Sequence, residues 1–436
     1  MVKKIKSLLT KDLLLILIMS GIFRLVYYSC LSITVTPDTL SYVDYQTNIF
    51  CGQINPFRTP VYPYFIKLIR VLFGQKYLYN NIVIAQCVIS FLSIINVYYI
   101  AKILFKTRLV IILVSLLFGL MIPFINYDKL IMTESLSISF VILFTCYLIN
   151  YYKKPTKSKA FLVSIFLFLL IMLRPSFVAF LPPFVLYWFI SLYYNHNKKM
   201  ALFGISGSFL VMLLILLYSS LNFKQNGFNG ISTVSNINQL DNVINAKIFK
   251  AGGDPELIKS ISDELTKPEN AIVHWSLLET INKTYDPTRI SKYIFHCIKN
   301  EPFSYFKNIL NTVINISSES IFKNYAIEKK NIISSVFYRL CKCFYIFNFS
   351  FIYMFIIINV IYVSLNLRKI IKTKSFTFIL IVIIIFHFLV SIVGAQADYG
   401  RLLMPVIPLC MFYLFILIDR FYFSINKKTF SSYQNI

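Results

Sequence analysis

Residues 200–221, MALFGISGSFLVMLLILLYSSL, decide the solvent in which this chain folds: they carry no charged side chain over the length a helix needs to cross a bilayer's hydrocarbon. Stretches of similar length and apolarity recur at 12–31, 80–101, 109–126, 135–152, 160–174, 177–194, 347–367, 375–393 and 402–423. With 57% hydrophobic and 14% charged residues and a mean hydropathy of +0.69, the 436-residue chain lacks the polar surface to cover a water-soluble globule. The sequence therefore predicts an all-α polytopic membrane protein of about ten transmembrane helices, with the lipid bilayer as its first partner. The opening MVKKIKSLLTKDLLLILIMS has the basic and apolar regions of a signal peptide. No small-x-small cleavage site follows before Cys30, so it reads as a retained first span.

The formal charge of +25 would point to nucleic acid in a soluble protein, but its placement removes that reading. With the N-terminus inside, the inward flanks collect Lys3, Lys4, Lys6 and Lys11, then Lys102, Lys106 and Arg108, then Lys153, Lys154, Lys157 and Lys159, then Lys198 and Lys199. Arg368, Lys369, Lys372, Lys374, Arg420, Lys427 and Lys428 bring the total to 20 of 43 basic residues, as the positive-inside rule demands. Both termini are then cytoplasmic, and no nucleic-acid partner is expected. Four short loops and one long segment, about 222–346, face outward. The eight cysteines show no metal-binding spacing; Cys30, Cys87, Cys146 and Cys410, in or beside spans, read as packing residues.

Charged residues recur at the outward ends of successive spans. The first outward loop, about 32–79, carries Asp38, Tyr42, Arg58 and Tyr62, and Pro60 and Pro63 turn it along the interface into a juxtamembrane helix over 64–73. The second, NYDKLIMTESL, supplies Asp128, Lys129 and Glu134, the last also a plausible helix-start acid. The third, LRPS, holds Arg174, which a snorkelling role would also explain. The fourth, VGAQADYGRLLMP, brings Asp398, Tyr399 and Arg401, with a local Asp398–Arg401 pair as the plainer reading. Ionisable residues at a membrane face are expensive unless paired or used, and four clusters at one depth point to use.

Separated carboxylates and several arginines suit transfer of a glycosyl group from a lipid-linked phosphate to a hydroxyl. The acceptor hydroxyl needs a base, for which Asp38 is the candidate. The phosphate leaving group gains charge in the transition state, which guanidinium groups stabilise; Arg58, Arg174 and Arg401 are the candidates. Tyr42, Tyr62, Lys129, Asp398 and Tyr399 are candidate substrate-binding residues.

The RTPVYP segment with an aspartate upstream, the MTESL helix start, the LRPS turn and the closing YGRLLMPVIP together resemble the GT-C glycosyltransferases. Within them the likeness is to the bacterial relatives of protein O-mannosyltransferases and of the lipid A aminoarabinose transferase; SKYIFHCIKNEPFSYFKNI resembles the amphipathic helix these carry before their later spans. The resemblance implies an inverting transferase that uses a polyprenyl-phosphate sugar, with Asp38 as base and Glu134 as the second acid, no cofactor, and an envelope glycan, lipid or protein as acceptor. Val61 stands where the family has glycine between RTP and YP, and the first-loop aspartate lacks an adjacent acidic partner, which argues against a metal-dependent mechanism; no catalytic metal is expected.

The domain division that follows is a catalytic transmembrane module over 1–221, a large extracytoplasmic loop over 222–346 and C-terminal transmembrane helices over 347–436. In the loop, GGDPE reads as a turn and helix start, and His274 and His296 as structural. Heavy use of Ile, Asn, Lys and Tyr, with the family likeness, places the chain in a bacterial inner membrane, where O-antigen repeats, lipid A and surface proteins are the acceptors to consider. The competing functions are an O-antigen or capsule polymerase, which would not need the first-loop acid, and a lipid-linked sugar flippase, which would show internal symmetry and mid-bilayer charges.

Overall fold

The computed structural model describes residues 10–193, 198–270, 274–322, 332–372, 376–394 and 398–433. The inward basic residues Lys3, Lys4, Lys6 and Lys374 fall outside them. Among the described residues the fold is all-helical with no strand; the bridges are isolated pairs, Thr34 with Leu130 and Ser320 with Asn348.

The first helix, α1 (Lys11–Ser29), starts where the Thr10 hydroxyl accepts from the Leu13 amide at 3.3 Å. A short α2 (Pro37–Val43) and an amphipathic α3 (Val61–Phe73) precede the long α4 (Leu78–Leu104). Pro60 and Pro63 begin α3, where missing amide donors cost nothing, so the prolines that divert the chain also start its juxtamembrane helix.

The expected single span over 109–126 is corrected: it is two helices, α5 (Arg108–Leu120) and α6 (Ile122–Asp128), bent by 43°. Pro123 has no amide to return to the Gly119 carbonyl and its ring crowds that position, so Met121 leaves the helix at φ −70°, ψ 99°. Arg24 of α1 takes the released Gly119 carbonyl, its Nε donating at 2.9 Å.

The bundle continues through α7 (Glu134–Lys153), α8 (Lys157–Leu173), a 3₁₀ turn (Pro175–Phe180), α9 (Leu181–Tyr193) and α10 (Lys198–Asn226). Helix α4 packs on α5 and α7, α7 on α8, and α10 on both α8 and α9. Eight described helices, or nine if α5 and α6 form one bent span, are long and apolar enough to cross a membrane; α8, with 17 residues, sits at the lower limit of that range.

The long segment folds into α11 (Val234–Asn245), α12 (Pro255–Leu265), α13 (Trp275–Thr284), α14 (Pro287–Asn300) and α15 (Pro302–Asn315) around a core of its own, including Leu240, Ile261, Leu278, Ile281 and Ile294. The amphipathic helix read in SKYIFHCIKNEPFSYFKNI is α14, which ends at Asn300 before Pro302, and Pro302 begins a further helix, α15. The GGDPE turn behaves as read: Gly253 takes φ +73° and the Asp254 carboxylate caps α12 by accepting from the Leu257 amide at 3.2 Å. His274 bonds Asp241 through Nδ1 at 2.7 Å.

Then come α16 (Ile332–Phe344), α17 (Phe349–Lys372), α18 (Phe376–Gly394), α19 (Tyr399–Leu403) and α20 (Ile407–Tyr433). Cys341 and Cys343 lie on α16, and all eight cysteines are free thiols.

Polar contacts attach the long segment to the rest. The Thr233 amide donates to the Pro56 carbonyl (2.8 Å) and the Ser232 hydroxyl to the Phe57 carbonyl (2.7 Å). On the other side, Asn238 donates to the Gly394 carbonyl (2.7 Å) and Asn242 to that of Val393 (3.2 Å), so α11 bridges the first loop and the end of α18.

Candidate active site

Asp38 reaches the site because Pro37 sets the first helical φ of α2 and Thr39 fixes the helix to the second loop. The Thr39 hydroxyl accepts from the Thr36 amide (2.9 Å) and donates to the Ile131 carbonyl (3.1 Å). Just before α2, the Thr34 amide donates to the Lys129 carbonyl (3.0 Å) and the Ile131 amide to the Thr34 carbonyl (3.2 Å). These bonds hold the two acid-bearing loops side by side.

Arg58 sits in a turn closed by Asn55, whose Oδ1 accepts from the Phe57 and Arg58 amides at 2.8 Å each. Its guanidinium donates from Nη2 to Asp38 Oδ1 at 2.6 Å, from Nε to the Ser41 hydroxyl at 2.7 Å and from Nη1 to the Tyr42 hydroxyl at 3.2 Å. It lies against the rings of Tyr42 and Phe57, 4.5 and 4.6 Å from their centroids. Burial pushes the Tyr42 hydroxyl above its ordinary range, with Arg58 opposing, so it stays a neutral phenol.

Glu134 lies in the first turn of α7, where the Thr133 side chain makes no capping bond. The carboxylate meets two arginines, Arg174 Nη1 at 3.2 Å and Arg401 Nε at 3.4 Å, both to Oε1. Arg174 ends α8, its backbone held extended by Pro175. Arg401 lies in the first turn of α19 and also approaches Asp38 (3.7 Å) and Asp398 (4.0 Å). The α19 turn comes this close because Gly400 rests on the Ile321 carbonyl, where a Cβ would collide.

Asp38, Arg58, Glu134, Arg174, Asp398 and Arg401 line one cavity of about 500 Å³, together with Tyr42. The remaining expected residues lie elsewhere. Tyr62 is behind Tyr42, ring centroids 5.1 Å apart, with its hydroxyl donating to Gln86 Oε1 at 2.7 Å; Gln86 in turn donates to the Asp128 and Leu130 carbonyls. Lys129 and Tyr399 are absent from the lining, with Lys129 at the end of α6 and Tyr399 buried at the start of α19.

Two features escape a reading of the sequence. The far wall of the cavity comes from the long segment, including Ser235, Asn238, Gln239 and Trp275. Their available signal is Trp275 itself, one of two tryptophans in the chain. The second is Arg24, buried in α1 and paired with Asp128 at 3.5 Å, whose carboxylate also accepts from the Tyr28 and Ser135 hydroxyls at 2.6 Å each. An arginine inside an apolar span is its signal.

Residues 57–219 match the family of dolichyl-phosphate-mannose-protein mannosyltransferases. No curated protein matches the chain. Two solved structures are similar in outline, both oligosaccharyltransferases of Archaeoglobus fulgidus. One, AglB in complex with an inhibitory peptide and a dolichol-phosphate, is 12% identical with a TM-score of 0.48, over 96% of this chain and 51% of that one. The other, tethered to an acceptor peptide containing the NVT sequon, is 12% identical with a TM-score of 0.46, over 94% and 50%. The chain spans about half the length of these structures. The family match covers Arg58, Glu134 and Arg174, and over residues 57–219 it agrees with the likeness read from the sequence motifs.

Proposed function

We propose that the protein is an inverting glycosyltransferase that moves a sugar from a polyprenyl-phosphate donor to a hydroxyl of a cell-envelope acceptor, at the outer face of a bacterial inner membrane. The single observation that carries this reading is the shared cavity: a solvent-reachable carboxylate and three guanidinium groups meet in it.

The two candidate acids, Asp38 and Glu134, differ in reach. The Asp38 side chain is 39% exposed, whereas that of Glu134 is 1% exposed and enclosed by Arg174 and Arg401. A general base must approach the proton it removes, so Asp38 takes that role, oriented by Arg58. Glu134 positions the two arginines, whose charge its own partly offsets until a phosphate arrives.

In the reaction the acceptor oxygen forms a bond to the anomeric carbon on the face opposite the phosphate, and its proton passes to Asp38. The carbon–oxygen bond to the phosphate breaks, and polyprenyl phosphate leaves with the electron pair. Arg58, Arg174 and Arg401 stabilise the charge developing on its oxygens, and are preorganised to do so by Asp38, Glu134 and Asp398. A single displacement at the anomeric carbon inverts its configuration.

The test is mass analysis of surface glycans and lipid A from cells with the gene, without it, and with Asp38→Asn. The expected result is loss of one glycosyl mass from an envelope component on deletion, reproduced by Asp38→Asn. An unchanged envelope profile on deletion would overturn the reading.

A further inference from the structure

The cavity has two chemically unlike walls. The membrane-bundle side carries every charge that lines it: Asp38, Arg58, Glu134, Arg174, Asp398 and Arg401. The wall given by the long segment has no charged lining residue and presents Ser235, Asn238, Gln239 and an indole, Trp275.

Trp275 is 58% exposed, although the helix it begins buries Leu277, Leu278 and Ile281 in the segment's own core. The fold thus leaves its largest ring out of the core and at the cavity. The preceding residue, His274, is tied to Asp241 of α11, which holds the start of α13 against the helix that carries Asn238 and Gln239. The Asn238 amide is fixed by donating to the Gly394 carbonyl, which leaves its oxygen as an acceptor; Gln239 makes no side-chain hydrogen bond among the described residues.

We infer that this wall is a saccharide subsite, and that the acceptor hydroxyl belongs to a glycan whose sugar ring stacks on Trp275 while neutral amides of Asn238 and Gln239 bond its hydroxyls. This rests on the transferase reading above. A sugar ring is neutral, has an apolar face for an aromatic ring and an edge of hydroxyls for amide donors and acceptors. A peptide acceptor would need partners for its backbone amides and carbonyls; the described residues offer no strand edge for it. The subsite lines the same cavity as the base, so a ring held there can present a hydroxyl to Asp38.

The test uses the purified full-length protein and its tryptophan emission, with Trp275→Phe as the difference control. The probes are the neutral oligosaccharide pool released by mild acid from the envelope of the cells that make the protein, and a tryptic peptide pool from the same envelope. The oligosaccharides should shift wild-type emission to shorter wavelength, saturably, and leave Trp275→Phe unchanged. Gln239→Ala should raise the half-saturating concentration about fivefold, as loss of one neutral hydrogen bond predicts. The same loss should appear in equilibrium dialysis of the labelled pool, which reads binding without the indole. No saturable response to the sugar pool, or a response to the peptide pool alone, overturns the inference. Release of polyprenyl phosphate from a polyprenyl-phosphate sugar is read in parallel. If that release is absent while the sugars bind, the transferase reading fails and the subsite stands; the converse outcome removes the subsite alone.

Discussion

Two charged clusters meet at the start of α7, yet only one faces an open cavity. Around Glu134, the arginines come from α8 and α19, the neighbouring aspartate from α2, and the cluster opens onto about 500 Å³. Around Asp128, six residues upstream, Arg24, Tyr28, Ser90 and Ser135 close in until neither charged side chain is more than 2% exposed. The contrast separates two uses of buried charge. In the closed cluster every bond that Asp128 makes is spent on joining α1, α4, α6 and α7, and Arg24 takes the carbonyl that the Pro123 bend releases. In the open cluster the arginines keep a face toward space a phosphate can fill.

The largest effect that sharpens this contrast is expected at Asp38. Asp38→Asn should lower the turnover of glycosyl transfer by about 10²–10⁴, the range of a positioned general base, while the melting temperature in detergent stays near wild type. Arg174→Met follows, with a loss of about 10²–10³ expected from removing one preorganised donor to a developing oxyanion. That substitution also leaves the buried Glu134 with Arg401 as its one remaining arginine among the described residues, so the double change Arg174→Met with Glu134→Leu should recover folded yield without recovering transfer.

The closed cluster should behave the other way round. Arg24→Met leaves the Asp128 carboxylate buried without its partner and should cost about 3–5 kcal/mol of stability, seen as a lower melting temperature and less protein in the membrane. Adding Asp128→Leu should restore most of it, with transfer per folded molecule close to wild type. Loss of transfer in a well-folded double variant would erase the distinction between the clusters.

The smallest effect lies in the outer segment. Asp254→Asn keeps an N-cap oxygen and removes the charge that Arg289 meets through Nε at 2.7 Å. That guanidinium holds the Asp254 carboxyl below the usual carboxylate range. A lowered folded pKa means the carboxylate's contribution is present above the unfolded value of about 3.9 and is lost as pH falls through the folded one. Wild type should therefore lose a little outer-segment stability on acidification below about pH 4 that Asp254→Asn does not lose, read by hydrogen exchange of α12 amides.

Much of the fold is legible in the amino-acid sequence alone. Apolar length marks the spans, because a bilayer sets it. Proline spacing marks the start of α3, and the four outward motifs mark the charged residues that line the cavity. The remainder depends on contacts between distant segments. Asp128 and Glu134 look alike in NYDKLIMTESL, and only the packing of Arg24 and Ser135 against the first separates them. The bend at Met121 hides inside a continuous apolar run, where hydropathy reads length but not the missing amide of Pro123. Trp275 belongs to the site through the tie between His274 and Asp241, which no local spacing displays.

The most direct test is to reconstitute the wild-type protein in vesicles with a polyprenyl-phosphate sugar labelled in the glycosyl group, supply the envelope acceptor pool, and follow both the label and the anomeric carbon by NMR. The proposed chemistry predicts one polyprenyl phosphate released per sugar transferred and a glycosidic product of inverted configuration. Labelled lipid-linked sugar that crosses the bilayer without forming a glycosidic bond, or a product of retained configuration, would contradict it.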